Sequence, residues 1–297
     1  MIPSLQQQSV LYNTEKSALE RALDSIENSS RIALRDGIIS KMSVRLGDCS
    51  PNPCLSQHDL DGLSKKYLSI SIEYVFFGEN LGSARGHNRL ASDTQADYLL
   101  IQNPDVVPSP RLYQNLFQTF QQPKVGMVEA KQLPIEHPKE YDANTGETSW
   151  ASTACALVKA STFVAVGGFD EETFFLYCDD VDFSWRVREY GLRVIFQPAA
   201  TVFHDKRLSS TGGWQPSDSE IYYSAEAAML LMHKWSRPDL AESTLNSFKA
   251  SELKAHREAA AEFEQRRHAG ALPEPRDQQN KIAQFVDGNY AAHRYAL

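Results

Sequence analysis

The sequence predicts an α/β fold, in which a mostly parallel β-sheet is flanked by helices and followed by a helical C-terminal extension. Three observations support this prediction. Short β-like runs alternate with helical stretches over the first two-thirds of the chain, as they do in parallel sheets. Beyond Ile221 the pattern becomes helical and charged. The 297 residues, 42% hydrophobic and 23% charged, suit one large soluble domain or a core domain with appendages.

The first elements follow from strand-like apolar runs that are separated by turns. "QQQSVLY" predicts a strand that ends near Tyr12 and Asn13, and "KMSVRL" predicts a second strand before the turn-rich "GDCSPNP". Between them, "TEKSALERALDSIENS" carries an apolar stripe at helical spacing, from Ala18 to Ile26. We expect Thr14 to be the N-cap of that helix.

The middle of the chain continues the alternation of strands and helices. "LSISIEYVFF" predicts a strand, and "GENLGSARGHNRLASDTQ" predicts a glycine-containing loop that enters a helix. "ADYLLIQ" predicts a buried strand that stops at "NPD", and "VGMVEAKQL" predicts the next strand. The helix "VDFSWRVREYG" precedes two further predicted strands, "GLRVIF" and "ATVFH".

The C-terminal part predicts helices. "EIYYSAEAAMLLMHKW" has helical length, and residues 239–268 are helix-prone and heavily charged. "GALPEPRDQQN" predicts a linker, which is followed by a short tail. The expected organisation is a domain of residues 1–235, with halves at about 1–125 and 126–235, and an extension of residues 236–297.

Charge and cysteine content exclude several classes of protein. The net charge of -8 argues against a protein that binds nucleic acid. No apolar run reaches the roughly 18 residues of a membrane span, and the first residues lack the regions of a signal peptide. The 4 cysteines contain no CxxC pair and are too sparse for a disulfide framework. We therefore expect reduced thiols and a cytoplasmic location.

Acidic side chains follow three of the predicted strands, where a parallel sheet binds its ligands. They are Asp48, Asp105 and the three acids at 179–182 within "FFLYCDDVDFSWR", and His204 ends a later strand. Each has an ordinary interpretation as well: Asp48 suits a turn, and acids at the start of a helix are favoured by its dipole. A helix dipole explains one or two acids but not three beside so many aromatic residues, because a buried carboxylate requires a compensating partner.

Three segments carry a resemblance to a known family: "ENLGSARGHN", "YLLIQNPDV" and "VGGFDEETFFLYCDDVDFSWRVREYGLRVIFQPAATVFH". In this order they resemble the family-2 glycosyltransferases, most strongly the rhamnosyltransferase-like and galactofuranosyltransferase-like members. The resemblance covers about residues 5–235 and is most specific in the last segment. It implies the GT-A fold, in which a nucleotide-sugar-binding α/β sheet continues into an acceptor-binding region.

The resemblance also implies site residues. Asp48 matches the aspartate that holds the base ring in relatives, and Arg85 lies near the expected diphosphate. Asp180 matches the catalytic base, the second acid of the family's "ED" pair, and Asp179 replaces the usual Glu. The residues expected to contact the nucleotide sugar are Tyr12, Asn13, Asp48, Asn80, Gly82, Arg85, Asn88, Asn103 and Asp105. The residues expected to contact the acceptor are Trp150, Tyr177 and Asp182.

A divalent cation is part of the implied mechanism. Asp105 matches the metal-binding acid of the family's "DxD" site, and Asn103 occupies the first position of that triplet. His204 matches a histidine that completes the metal site in some relatives. A carboxylate with an imidazole suits Mn²⁺, and a carboxylate with phosphates and water suits Mg²⁺.

The implied function is inverting transfer of a sugar from a nucleoside-diphosphate sugar to a hydroxyl group. The expected donor is a dTDP- or UDP-sugar, with rhamnose as the first choice. The expected acceptor is a glycan or a lipid-linked glycan in bacterial surface polysaccharide synthesis. The sequence leaves open whether the protein forms a homodimer and whether it contacts the plasma membrane peripherally. The cluster from Met229 to Trp235 suits either internal packing or a membrane interface.

Two features depart from the family pattern. Glu226 lies near the position where relatives usually have a basic residue, and the chain beyond Trp235 resembles nothing in the family. Because of Glu226 and Asn103, a second interpretation stays open, in which the chain is a non-catalytic protein that binds nucleotide sugars or serves as a scaffold. A sugar nucleotidyltransferase on a similar sheet is a further alternative, although the chain lacks the glycine-rich basic start of that class.

Overall fold

The computed structural model describes residues 1–137, 139–205 and 215–291, so the end of the expected tail lies outside the described residues. It confirms an α/β fold with one mostly parallel sheet. The strands of the described chain are β1 (Ser4–Leu11), β2 (Lys41–Asp48), β3 (Ser71–Phe76), β4 (Tyr98–Gln102), β5 (Val106–Pro108), β6 (Val125–Leu133), β7 (Cys155–Lys159) and β8 (Arg193–His204). Its helices are α1 (Lys16–Arg35), α2 (Gln57–Lys66), α3 (Gly82–Ala91), α4 (Leu112–Thr119), α5 (Ala160–Ala165), α6 (Asp179–Glu189), α7 (Asp218–Lys234), α8 (Pro238–Lys249) and α9 (Lys254–His268).

The strand order of the sheet is β3-β2-β1-β4-β7-β6-β8-β5. Strands β1 to β4 pair in parallel, as do β6 and β8, whereas β7 is antiparallel to both of its neighbours and β5 is antiparallel to β8. The carboxyl ends of β1, β2 and β4 therefore meet the amino end of β7 at one edge of the sheet. This edge is where open α/β sheets bind ligands.

Helices cover both faces of the sheet and bury two apolar cores. On one face, α1, α2 and α4 pack against the sheet through residues such as Leu23, Leu63 and Leu116. On the other face, α3, α5 and α6 pack through residues such as Phe163 and Phe183. Apolar side chains on both sides of β4 and β7 explain why their sequences are almost continuously hydrophobic.

Three local predictions need correction. Thr14 does not cap α1, because the helix begins at Lys16 and the Thr14 hydroxyl accepts a hydrogen bond from the Tyr12 amide instead, at 3.3 Å. The two strands predicted near the end of the domain form the single strand β8, which an irregularity in its pairing with β6 allows to continue through its middle. The short strands β5 and β7 were not predicted, since neither has a distinctive period of its own.

The C-terminal helices form a third core with α6. Helices α7, α8 and α9 surround Trp235, which is fully buried against Trp185, with ring centroids 5.3 Å apart. The apolar residues of the predicted cluster are all buried, so internal packing is confirmed and a membrane interface at these side chains is wrong; they are Met229, Leu230, Leu231, Met232 and Trp235. Within the described parts of the chain, no helix combines the length and apolar content that crossing a membrane requires.

Residues 269–291, which we call the C-terminal strap, run from the end of α9 across α6. The Asp277 carboxylate accepts hydrogen bonds from the amides of residues 281, 282 and 283 at 2.9, 2.8 and 3.0 Å. Arg188 of α6 donates to the Ile282 carbonyl at 2.6 Å, and Phe285 packs edge-on against Trp185. These contacts join the strap to the core that α6 shares with α7, so the packing continues across the expected boundary at residue 235.

Candidate active site

A cleft of about 710 Å³ opens at the carboxyl edge of the sheet. Its walls come from the ends of β1 and β4, the residues before β7, the N-termini of α3 and α6, and the strap. The sequence-predicted site residues that line it are Tyr12, Asn80, Gly82, Asn103, Asp105, Trp150, Tyr177, Asp179, Asp180 and His204. The fold therefore brings predicted donor, acceptor, metal and base residues together in one cavity.

The N-terminus of α6 enters this cleft through a strained turn. Tyr177 and Cys178 both have left-handed backbones, with φ of 64° and 55°, a conformation that non-glycine residues adopt only at a cost. Asp180 lies two residues after Cys178 and is half-buried. Its carboxylate accepts hydrogen bonds from the amides of Val181, at 2.9 Å, and Thr153, at 3.4 Å. The turn thus places an acceptor of protons at the surface of the cavity.

Asp179 has a different environment from its neighbour. Its side chain is buried, and burial together with the negative charge of Asp180 raises the pKa of Asp179 to about 7. Among the described residues, its Oδ2 atom has no hydrogen-bond partner. Burial therefore favours the protonated form of the Asp179 carboxyl, and the adjacent charge of Asp180 adds to that preference.

Asp182 lies in the protein interior and does not line the cleft, so the prediction that it contacts the acceptor needs correction. Its carboxylate is fully buried between Arg186, at 2.8 Å, and Lys234, at 2.6 Å. The indole of Trp235 donates a third hydrogen bond to it at 3.0 Å. These bonds tie α6 to α7, so the structure uses this carboxylate for packing and not for contact with a ligand.

Asp105 and His204 lie together in the wall of the cavity. The antiparallel pairing of β5 and β8 brings them together, and the Oδ2 atom of Asp105 is 3.3 Å from the Nε2 atom of His204. The Nδ1 atom of His204 lies 2.8 Å from the Oε1 atom of the buried Gln132. Asn103 is two residues before Asp105, and its side chain also lines the cleft.

At the α3 wall of the cleft, the close approach of α3 to the loop before α6 depends on Gly82. This residue has a φ of +68°, and a Cβ atom there would lie 2.3 Å from the carbonyl oxygen of Phe175. That oxygen accepts a hydrogen bond from the Ser83 amide at 2.9 Å. The side-chain oxygen of Asn80 accepts from the Gly82 amide at 3.2 Å. Only glycine fits this close contact, which explains its position in the motif.

Asp48 and Asn13 do not line the cleft, although both were predicted beside the nucleotide. Asp48 is fully buried and accepts hydrogen bonds from the amides of Ser50, at 2.9 Å, and Cys54, at 2.7 Å, as well as from the Tyr74 hydroxyl. The Asn13 amide donates to the Ser50 hydroxyl at 2.7 Å. In this structure both residues shape the loop at 49–54 beside the end of β1.

Arg85 and Asn88 also face away from the cleft and hold the loop that precedes α6. Arg85 is 3.3 Å from each of the carboxylates of Glu171 and Glu172. The Asn88 amide group donates to the Phe169 carbonyl at 2.9 Å and to Glu171 at 2.7 Å. A direct contact of Arg85 with a diphosphate would require it to leave these two acids.

Several residues of the cleft were not predicted. Ser83 and His87 come from α3, Tyr223 comes from α7, and Tyr290 comes from the strap. His87 is buried, which lowers its pKa to about 3, so it lines the cavity as a neutral ring. Ser83 and His87 lie within the motif "ENLGSARGHN", where helical spacing from Gly82 would have indicated that they line the same site. Nothing in the local sequence indicated Tyr290.

Glu226, the acid at a position usually occupied by a base, does not line the cleft. It is buried between α7 and α9 and pairs with Arg266 at 2.9 Å. Burial raises its pKa, which the nearby Arg266 partly opposes. The departure from the family pattern is therefore compensated by a helix–helix contact.

No family model matches the chain. A segment of 61 residues is 43% identical to N-acetylglucosaminyl-diphospho-decaprenol L-rhamnosyltransferase of Mycobacterium tuberculosis and covers 20% of each protein. A longer segment, of 155 residues, is 27% identical to pre-mycofactocin glycosyltransferase of the same organism and covers 46% of this chain and 33% of that protein. The chain thus matches only a fifth to a third of the length of these relatives.

Solved structures match almost the whole chain. The structure of GalNAc-T7 with UDP, GalNAc and Mn²⁺ aligns with 95% of this chain and 57% of its own, at a TM-score of 0.66 and 13% identity. The mannosyltransferase PcManGT of Pyrobaculum calidifontis, in complex with GDP-Man and Mn²⁺, aligns over 94% of this chain and 85% of its own, at a TM-score of 0.55 and 17% identity. At such low identity these matches show the fold. The chain has the GT-A fold and resembles the rhamnosyltransferase-like family-2 glycosyltransferases.

Proposed function

We propose that the chain is an inverting, metal-dependent glycosyltransferase that moves a sugar from a nucleoside-diphosphate sugar to a hydroxyl group of an acceptor. One observation carries the proposal: Asp180 and the Asp105–His204 pair open into the same cleft at the carboxyl edge of the sheet. A cavity of about 710 Å³ has the size of a small-molecule site. The matched relatives are named as glycosyltransferases, which supports the same class of reaction.

Asp180 is the proposed general base. An acceptor hydroxyl is a poor nucleophile, so a carboxylate within hydrogen-bond reach must take its proton as the oxygen attacks C1 of the sugar. Asp180 is half-buried and lines the cleft, whereas Asp179 is buried and has a raised pKa, which favours its protonated form. A protonated Asp179 would carry no negative charge to repel that of the proposed base. Direct displacement at C1 would invert the anomeric centre.

Asp105 and His204 would hold the Mn²⁺ or Mg²⁺ ion, which would stabilise the negative charge of the leaving diphosphate. The donor set fits such an ion, because a carboxylate oxygen and an imidazole nitrogen lie 3.3 Å apart and the Asp105 side chain is 43% exposed. Over the described residues, no group of three His, Cys, Asp or Glu side chains could hold a metal alone. This suits an ion that completes its coordination with substrate phosphates and water.

The proposed donor is a dTDP- or UDP-sugar, with dTDP-rhamnose first, because rhamnosyltransferases are among the matched relatives. The proposed acceptor is a glycan or a lipid-linked glycan, for which the name of one mycobacterial relative gives a precedent. Trp150 and Tyr177 line the cleft near Asp180 and are the proposed acceptor contacts. The donor half would then be residues 1–125, and the acceptor half would be residues 126–235 together with the strap.

The first experiment measures donor binding and transfer. Thermal shifts with dTDP-rhamnose, UDP-galactofuranose, UDP-glucose and UDP-galactose, with and without Mn²⁺, would identify the donor, and product formation would then be followed on lipid-linked acceptors. Asp180→Asn should lower turnover by about 10²–10⁴-fold while donor binding persists. Asp239→Asn is the matched control, because Asp239 lies on α8 with its side chain 62% exposed and pairs with Arg237. Unchanged turnover in Asp180→Asn would contradict the mechanism.

A second variant tests the metal site. Asp105→Ala should abolish the part of nucleotide binding that depends on Mn²⁺, because it removes the exposed carboxylate of the proposed pair. Nucleotide binding that responds neither to EDTA nor to this substitution would count against the metal. Nucleotide-sugar binding by the parent protein without turnover on any acceptor would favour the non-catalytic alternative.

A further inference from the structure

Gln132 connects the proposed metal site to the interior of the sheet. It lies near the end of β6, next to β8, and its side chain is fully buried. Its Oε1 atom lies 2.8 Å from the Nδ1 atom of His204. Its main-chain amide is held separately by the Glu136 carboxylate, at 2.7 Å. The glutamine is thus fixed by its backbone and directs its side chain at the imidazole.

This contact determines which face of the imidazole is available to a cation. An amide oxygen is only an acceptor, so a hydrogen bond to it requires Nδ1 of His204 to carry the hydrogen. In the neutral ring, Nε2 then presents its lone pair. That atom lies 3.3 Å from Oδ2 of Asp105, which also presents lone pairs. Two facing electron donors repel each other unless a proton or a metal cation lies between them.

We propose that Gln132 is a positioning residue that holds His204 in the Nδ1–H tautomer and directs its Nε2 atom at a divalent cation shared with Asp105. This inference deepens the proposed function and rests on its metal site. Ligating histidines are commonly oriented by a hydrogen bond to the other ring nitrogen. The amide nitrogen of Gln132 has no hydrogen-bond partner among the described residues, so the contact with His204 is the polar interaction for which its side chain is placed.

The test compares two substitutions at Gln132 by Mn²⁺ binding. Free Mn²⁺ is measured by electron paramagnetic resonance during titration of the full chain, alone and with UDP or dTDP. Gln132→Leu removes the acceptor and should weaken Mn²⁺ binding by about 10–100-fold. Gln132→Glu restores an oxygen acceptor and should bind Mn²⁺ within about threefold of the parent protein. Gln197→Leu is the matched control, because Gln197 lies in the neighbouring strand β8 and donates a hydrogen bond to the Thr119 hydroxyl, at 2.9 Å, instead of contacting His204.

Nitrogen-15 correlation spectra of the histidine rings provide a readout that does not need the metal. The His204 signals, assigned with His204→Gln, should show hydrogen on Nδ1 in the parent protein and in Gln132→Glu, and should show the other tautomer in Gln132→Leu. Hydrogen on Nε2 in the parent protein would overturn the proposal. So would Gln132→Leu that folds and binds Mn²⁺ as the parent does. If the parent protein binds no Mn²⁺ but shows the expected tautomers, the metal of the proposed function fails and the positioning of His204 by Gln132 stands.

Discussion

Replacing Asp182 with Asn should destabilise the fold far more than the same change at a surface acid. The carboxylate of Asp182 is fully buried, and both of its cationic partners, Arg186 and Lys234, are only 6% exposed. Removing one member of a buried ion pair costs about 3–5 kcal/mol, because the remaining charge is left without compensation. Lys234 keeps a second partner in Asp170, at 2.6 Å, so we expect a loss near the lower limit, about 3 kcal/mol.

Urea denaturation followed by tryptophan fluorescence measures this loss directly, since Trp235 donates to the same carboxylate. The melting temperature should fall by roughly 5–10 °C. Asp239→Asn, at an exposed surface pair, should change the free energy of unfolding by less than about 0.5 kcal/mol. An Asp182→Asn variant that is as stable as the parent protein but has lost acceptor binding would refute the structural role. Asp182 would then be assigned to acceptor binding.

Three further predictions concern the cleft and the strap. The pKa of Asp179 is raised from 3.8 to about 7 in the folded protein. Between these two pH values the folded protein binds the proton more strongly than the unfolded chain does, so the free energy of unfolding should fall as pH rises from about 4 to about 7. Urea denaturation at pH 5 to 8 should show that Asp179→Asn gains stability over the parent protein as pH rises, and a constant difference would contradict this. Gly82→Ala should lose more stability and nucleotide affinity than Gly191→Ala, because both glycines have positive φ but only a Cβ at Gly82 meets other atoms within 4 Å; equal losses would remove the steric argument. Tyr290→Ala should cost roughly 2–4 kcal/mol and shift the fluorescence of Trp150 to longer wavelength, since the two rings lie 5.6 Å apart, whereas unchanged stability and emission would show that the strap does not pack there.

The order of elements was predictable because it depends on local pattern. Alternating apolar runs and turns place β1, β2, β4 and β6 close to their observed bounds, and helical periodicity does the same for α1 and α7. The strands whose presence or extent was not predicted are those with a weak or interrupted local pattern. β5 has only 3 residues and carries no period, and β7 is a buried apolar run without alternation. β8 continues through a stretch that looks like a break, because its neighbour β6 supplies the hydrogen bonds.

The acids show where local pattern stops being sufficient. Asp179, Asp180 and Asp182 lie within four positions of one another, and their spacing around α6 separates them by direction. What surrounds each direction comes from distant parts of the chain: Thr153 beside Asp180, and Lys234 beside Asp182. No short-range pattern could have shown that Asp180 is half-buried at the cleft, that Asp179 is buried beside it and that Asp182 lies in the core.

By itself, the sequence determined the α/β class, the order of most elements and the strand ends at which acids and the histidine occur, because these follow from periodicity and turn chemistry along the chain. Only the tertiary structure decided that Asp48 supports a loop, that Glu226 pairs with Arg266, that Gln132 contacts His204 and that Tyr290 lines the cleft. The physical reason is that the environment of a side chain depends on neighbours that are remote in sequence. Burial, charge pairing and hydrogen-bond geometry arise from those neighbours, and they decide what each residue does.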